Sequence, residues 1–401
     1  MQKNQDALAH TLRTLALCFL VAMLEGHNLQ STGIAASRMG ASLHISKSLL
    51  GTVFAIGSLG LFPGAVLGGR LADRIGRKRV LLAATLLFGL FSILTARVES
   101  VGMLMTARFL TGVGLGAALP NLIALAAESV LLTHRSRAVA FMYAGVPLGG
   151  VVAALTSNAV AGPEGWRAIF LVGGAASLVL LPLMALLMPE SRAFLRDRGE
   201  PAAARHSLGY VLFGEGRTAI TIGLWVSYFF TLAVVYLLLN WLPSLLEERG
   251  LTRPETGLVQ IMFNIGASLG SLGFGWMLDR GVKRVAVVLM YAGVVLSLFG
   301  LAFTAGFAGL QVAGFAAGLF AVGGQLVLYA LAPSFYASAI RGSGVGAAVA
   351  AGRLGAVAGP LAAGAILSAG MNGNTVLFAT IPGLALAGVA AVTLVIKRDS
   401  N

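Results

Sequence analysis

Charge is scarce. Only 11% of the 401 residues are Asp, Glu, Lys or Arg, against about 25% in an ordinary soluble domain. Cysteine is almost missing: Cys18 stands alone in an apolar run, which excludes an internal disulfide and a Cys-based metal site. The chain has no metal-ligating cluster, no nucleophile–base pair and no nucleotide-binding loop, so neither an enzyme nor a cofactor is expected. The first apolar run leads on to Glu25 and not to a small-residue cleavage site, so no cleavable signal is expected.

What is abundant is apolar. Hydrophobic residues make up 57% of the chain, with 53 glycines. They fall in long runs, the pattern of transmembrane helices of about 20 residues. Small residues at this frequency let such helices approach closely in lipid. Twelve spans are predicted, at roughly 12–36, 47–72, 79–97, 101–128, 137–161, 165–188, 217–246, 254–278, 284–304, 308–336, 342–369 and 373–397. The fold class is therefore an all-α membrane protein embedded in a lipid bilayer.

The net charge of +13 follows the same division and needs no nucleic-acid partner. If the N-terminus faces the cytoplasm, 20 of the 28 Lys and Arg fall in inner segments and 6 in outer ones. This bias predicts both termini inside. The remaining two, Arg108 and Arg353, lie within spans. The densest cluster follows the second span, where Arg70, Arg74, Arg77, Lys78 and Arg79 surround a single acid, Asp73.

That cluster has an echo. Gly69-Arg-Leu-Ala-Asp73-Arg74 recurs 206 residues later as Gly275-Trp-Met-Leu-Asp279-Arg280, each followed by a basic run ending in Val. Arg137 and Arg341, each opening a fifth helix, lie 204 apart. The longest polar stretch divides the repeats, which predicts a six-helix bundle over 1–188, a cytoplasmic linker over 189–216 and a second bundle over 217–401. Two parallel six-helix repeats with a binding site between them at mid-membrane is a transporter architecture.

Over its whole length the sequence resembles the major facilitator superfamily. The motifs are Gly69-x-x-x-Asp73-Arg74-x-Gly76-Arg77-Lys78-Arg79, Arg108-Phe-Leu-Thr-Gly112-Val-Gly-Leu-Gly116, and Pro189-Glu190-Ser191-Arg-Ala-Phe-Leu195. A narrower resemblance is to aromatic acid:proton symporters, through Glu25-Gly26-His27-Asn28, Asn240-Trp-Leu-Pro243, Gly324-Gln-Leu-Val-Leu-Tyr-Ala-Leu-Ala-Pro333 and Gly352-Arg353-Leu-Gly-Ala to Gly359-Pro360. Within that family it looks most similar to the 3-(3-hydroxyphenyl)propionate permease branch. It departs from the helix-one motif at Asn28, where the family carries a second acid, leaving Glu25 as the motif's only carboxylate. The resemblance implies a monomeric, proton-coupled importer of an aromatic carboxylate in a bacterial inner membrane. The rival readings are a proton-driven exporter, suggested by Gly145-Val-Pro147-Leu-Gly149-Gly150, and a non-transporting sensor of aromatic acids.

Charges at mid-membrane cost about 2.5–3.5 kcal/mol each on insertion scales and call for a role. A carboxyl removed from water at Glu25 can be loaded with a proton from one side and unloaded on the other. Arg108, at similar depth in helix four, is the cation expected to respond to that proton, or else a structural partner of a carbonyl. Arg353, near the midplane with no acid at its depth in its own half, is expected to seat a substrate carboxylate on its two-pronged guanidinium, or to pair with Glu25 across the cavity. Gln325 and Tyr329, spaced i, i+4, present two polar groups on one face. Asn28, Tyr228, Tyr236 and Asn264 reach middle depth and complete the expected substrate site. Asp73, Arg74 and Arg77, with Asp279 and Arg280, are expected to gate the cytoplasmic end. Asp73 ends a helix, where an acid needs a neighbouring cation or another helix's N-terminus.

Overall fold

A computed structural model describes residues 2–131, 134–191, 194–195, 207–337 and 340–399. Among them lie twelve helices long and apolar enough to cross a membrane, numbered α1–α12 along the chain. The first bundle holds α1 (Gln2–Ser42), α2 (Lys47–Ile75), α3 (Arg77–Thr95), α4 (Val101–Glu128), α5 (Arg135–Ala159) and α6 (Trp166–Leu187). The second holds α7 (Thr218–Glu248), α8 (Arg253–Asp279), α9 (Lys283–Phe303), α10 (Phe307–Phe335), α11 (Arg341–Ser368) and α12 (Gly373–Lys397). No strand occurs among the described residues.

Four of the six helix starts away from the basic segments are closed by side chains. Ser46, Ser100 and Asn372 each accept the backbone N–H three residues on, and Thr252 and Glu255 form a reciprocal capping box. Each cap satisfies donors that would otherwise be orphaned at the helix end. Large apolar side chains such as Leu186, Val179, Leu296 and Phe303 point outward, as a protein solvated by hydrocarbon requires. Small residues face inward.

The expected basic turn is tighter than a loop. α2 runs on through Asp73 and Arg74, and α3 begins at Arg77, so Gly76 alone makes the turn. Its φ of 97° is a conformation that side chains other than glycine rarely adopt. The Glu190 carboxylate, from the chain just after α6, accepts the backbone N–H groups of Arg77 (2.8 Å) and Lys78 (3.1 Å) and so caps α3. Arg77 pairs with Glu128 at the end of α4, and Ser191 Oγ donates to the same carboxylate at 2.7 Å. The basic ends of α3, α4 and α6 are thus tied together.

α10 is not a regular helix. A π-helical segment, Gly318–Gly323, interrupts it before Gln325–Leu331 resumes. Part of the expected linker, 192–193 and 196–206, lies outside the described residues. Its end is ordered: a short helix, Leu208–Phe213, is held by Arg217 Nη2 on the Tyr210 carbonyl (3.0 Å) and Thr221 Oγ1 on the Leu212 carbonyl (2.7 Å).

The two bundles meet along α5 and α8 at every depth. Gly257 packs on Asn158 at one end, Ser268 Oγ donates to the Ala144 carbonyl (3.2 Å) in the middle, and Gly275 packs on Ala140. At the basic end Arg137 Nε donates to Asp279 at 2.9 Å. α2 and α11 pack closely at the other end. There a Cβ at Gly51 would lie 3.0 Å from the Pro360 carbonyl oxygen and 3.2 Å from the Gly364 Cα. Lys47 pairs with Glu248 at the same level. Near the basic ends of these helices, a Cβ at Gly69 or Gly346 would meet nothing within 4 Å.

Candidate functional site

Between the bundles lies a cavity of about 20 Å³ lined by Glu25, Leu29 and Gln30 of α1, Leu119 of α4, Tyr143 and Val146 of α5, and Val235, Tyr236 and Leu239 of α7. Val322, Gln325 and Tyr329 of α10 and Arg353 of α11 complete it. Glu25 is 4% exposed and Arg353 6%. The two line the same space, and no hydrogen bond or ion pair joins them among the described residues. Glu25 Oε2 and Arg353 Nε have no hydrogen-bond partner among the described residues. Arg353 Nη1 donates to the Tyr236 hydroxyl at 2.8 Å. An opposed acid and cation, each short of hydrogen bonds, form a site built to receive polar groups.

A phenol–amide chain runs along one wall. The Tyr143 hydroxyl donates to Gln325 Oε1 at 3.3 Å, and Gln325 Nε2 donates to the Tyr329 hydroxyl at 2.8 Å. This fixes the orientation of the Gln325 amide. The i, i+4 spacing of Gln325 and Tyr329 survives because both lie on the regular segment after the π-helical turn.

Three expected members lie elsewhere. Asn28 donates to the Leu24 carbonyl (2.8 Å) and faces Ser177 of α6. From Glu25, Asn28 is turned about 60° around the helix and Leu29 about 40° the other way, and it is Leu29 that enters the cavity. Tyr228 is fully buried, donates to the Leu328 carbonyl (2.8 Å) and packs edge-on against Tyr329. It supports the site from behind. Asn264 is held in an amide cluster in which Gln30 Nε2 donates to its Oδ1 at 2.8 Å and Gln260 Nε2 donates to Gln30 Oε1 at 3.1 Å. His27 lies beside Ser31 and Gly173, between α1 and α6.

Arg108 is not joined to Glu25. It lies in a second chamber, also of about 20 Å³, with Thr32, Ser58, Gly57, Gly112, Leu115 and Asn240. Leu29 belongs to the walls of both chambers and separates them. Arg108 Nη2 donates to the Asn28 carbonyl at 3.0 Å, and the guanidinium lies over the Phe170 ring.

The expected gating residues divide. Arg77 is engaged inside the first bundle and Asp279 bridges the bundles to Arg137. Arg280 stacks on Trp276 of its own helix. Asp73 and Arg74 are exposed, and no cation pairs with Asp73 among the described residues. A larger lateral groove of about 730 Å³, between α7, α10 and α12, opens toward lipid with Lys397 at its edge and lies apart from these chambers.

Sequence reasoning missed Gln30 and Tyr143, polar groups in apolar runs whose partners lie more than 180 residues away. It also missed Glu128, and named Glu190 only within a motif; both find their partners on α3, far back along the chain. The stretch Gly145-Val-Pro147-Leu-Gly149 packs against α1 at Phe19 and Met23.

Two six-helix bundles around a buried, polar, cross-bundle cavity define a membrane transporter and not an enzyme. The comparison with known families then agrees: the sequence model of the Major Facilitator Superfamily matches residues 16–219 and 224–401. The chain belongs to that superfamily and is a multi-pass membrane protein. It is 46% identical to the 3-(3-hydroxyphenyl)propionate transporter of Escherichia coli, over 96% of this chain and 94% of that one. It is 34% identical to a gallate transporter of Pseudomonas putida, over 97% and 92%. The 4-hydroxybenzoate transporter PcaK of the same species is 32% identical, over 73% and 72%. In fold the chain matches the xylose transporter XylE from E. coli, with a TM-score of 0.75, 21% identity and coverage of 96% and 95%.

Proposed function

We propose that the protein imports an aromatic carboxylate together with a proton, by alternating access, as a monomer in a bacterial inner membrane with its basic end and both termini in the cytoplasm. The observation that carries this reading is Arg353 facing Glu25 across a cavity ringed by Tyr143, Tyr236, Tyr329 and Gln325. The guanidinium offers the substrate carboxylate two donors in one plane, the geometry of a charge-assisted fork. The Tyr and Gln hydrogen-bond chain suits a ring hydroxyl. The substrates named for the related transporters, hydroxyphenylpropionate, gallate and hydroxybenzoate, all carry both groups.

Glu25 is the proton carrier in this scheme. Arg108 acts on it through the electric field across the Leu29 wall. Loading a proton on Glu25 removes its attraction for Arg353 and frees that cation for the incoming anion. The closed Lys47–Glu248 end and the open space around Gly69 and Gly346 support an inward-facing state. The cavity, at about 20 Å³, must widen to admit an aromatic ring, which the rocking of the bundles does. Asp73 is the half of the cytoplasmic latch that engages when the basic end closes.

The test is uptake of labelled 3-(3-hydroxyphenyl)propionate into proteoliposomes under an imposed pH gradient, acid outside. Substrate-driven alkalinisation of the outer medium is expected. Acidification on the substrate side would identify a proton-exchanging exporter, and binding without flux a sensor.

A further inference from the structure

We propose that the Arg108 chamber is a binding site for a small inorganic anion of chloride size, held while the ends of α2 and α11 near Lys47 and Gly364 are together. The chamber is separate from the central cavity, with Leu29 as the shared wall. Two of its lining residues, on different helices, carry a buried polar atom without a partner among the described residues: Nη1 of Arg108, a residue 4% exposed, and Oγ1 of Thr32, 3% exposed. Both are donors. The rest of the guanidinium is engaged, with Nη2 on the Asn28 carbonyl and one face over Phe170. No carboxylate lies within ion-pair distance of Arg108 among the described residues.

A buried cation without a counter-charge is costly at membrane depth, and the penalty falls when an opposite charge enters the same space. One species accepting from both Nη1 and Oγ1 would satisfy both donors. Water can accept two hydrogen bonds, but only an anion also neutralises the guanidinium. The chamber's 20 Å³ exceeds the roughly 10–15 Å³ that one water-sized occupant needs, and in this closed arrangement it has no room for an aromatic acid.

The chamber also has a lid. Asn240, on α7 of the second bundle, closes a space otherwise built by α1, α2 and α4 of the first. Separating the bundles at the Lys47–Glu248 end removes that wall. The anion thus binds the closed arrangement of that end in preference to the open one, and shifts the equilibrium between them by its differential affinity.

The test is thermal unfolding of the purified full-length protein in sodium gluconate, with chloride or bromide titrated in at constant ionic strength. A saturable rise in Tm of about 2 °C or more is expected for both halides. It should be absent in Arg108→Gln. Thr32→Val, which keeps the shape of the side chain, should weaken the half-saturating concentration about tenfold by removing one donor. Bromide-soaked crystals should show an anomalous peak between Arg108 and Thr32. Equal Tm in gluconate and halide would mean that water fills the chamber and would overturn the proposal, as would a halide effect that survives in both variants. No aromatic acid or pH gradient enters the assay, so its failure leaves the transport reading untouched.

Discussion

Glu25→Gln separates coupling from binding. The substitution keeps the side chain's size and its hydrogen-bonding capacity but removes the one carboxylate lining the central cavity. A phenol keeps its proton at neutral pH, so the cavity's tyrosines are not expected to carry one through the cycle. Asn28 cannot titrate, and His27 lies between α1 and α6. With Glu25 as the proposed carrier, one proton per cycle is expected. One proton with one monoanion is electrically neutral, so accumulation should follow the pH gradient alone. One pH unit is worth about 1.4 kcal/mol, a tenfold concentration ratio. A second proton would add about 2.3 kcal/mol per 100 mV, a further factor of about 50. The assay is uptake of labelled hydroxyphenylpropionate into proteoliposomes, with potassium diffusion potentials set by valinomycin. The wild type should reach about tenfold accumulation per pH unit at 0 and at −100 mV. The Glu25→Gln protein should not accumulate substrate, yet should still exchange internal for external label. Potential-dependent accumulation by the wild type would refute the single-proton argument. Gradient-driven accumulation by the variant would refute Glu25 as the carrier.

Three further outcomes are expected. Arg353→Lys keeps the charge but loses the fork, and the loss of one charge-assisted hydrogen bond of about 1.5–3 kcal/mol should weaken substrate affinity about 10- to 150-fold by calorimetry. Gly51→Val drives a branched side chain against Pro360 and Gly364; it should hold that end apart, seen as greater labelling of a cysteine placed near Lys47 in a Cys18→Ser background. Glu190→Ala removes the cap on α3 and should cost about 1 kcal/mol of stability, read as a lower Tm with substrate affinity unchanged.

Depth was legible in the sequence, and direction was not. Counting residues along apolar runs placed Glu25 and Arg353 at a common level, and the structure puts them in one cavity. The same counting placed Arg108 near Glu25 but could not see the Leu29 side chain between them. Asn28 shows the limit: i, i+3 spacing leaves about 60° of uncertainty on a helix, enough to turn a side chain from a cavity to a neighbouring helix. Span positions held to within a few residues, because hydrocarbon dictates apolar length. The extra turns of α1 and the single-residue turn at Gly76 depend on packing and on Glu190, a residue far along the chain. The internal repeat predicted two halves. It could not reveal that Asp279 pairs with Arg137 while its counterpart Asp73 has no ion pair among the described residues.

That inequality has a mechanical consequence. The seam between α5 and α8 is fastened at three depths, whereas the close approach of α2 and α11 described above lies at one end. The molecule is bound like a book, with α5 and α8 as the spine and α2 and α11 as the fore-edge. A substrate that parts the fore-edge by several ångströms need move the spine very little. Substitutions along the spine should then alter how stiffly the covers turn, while those along the fore-edge should alter how far they open.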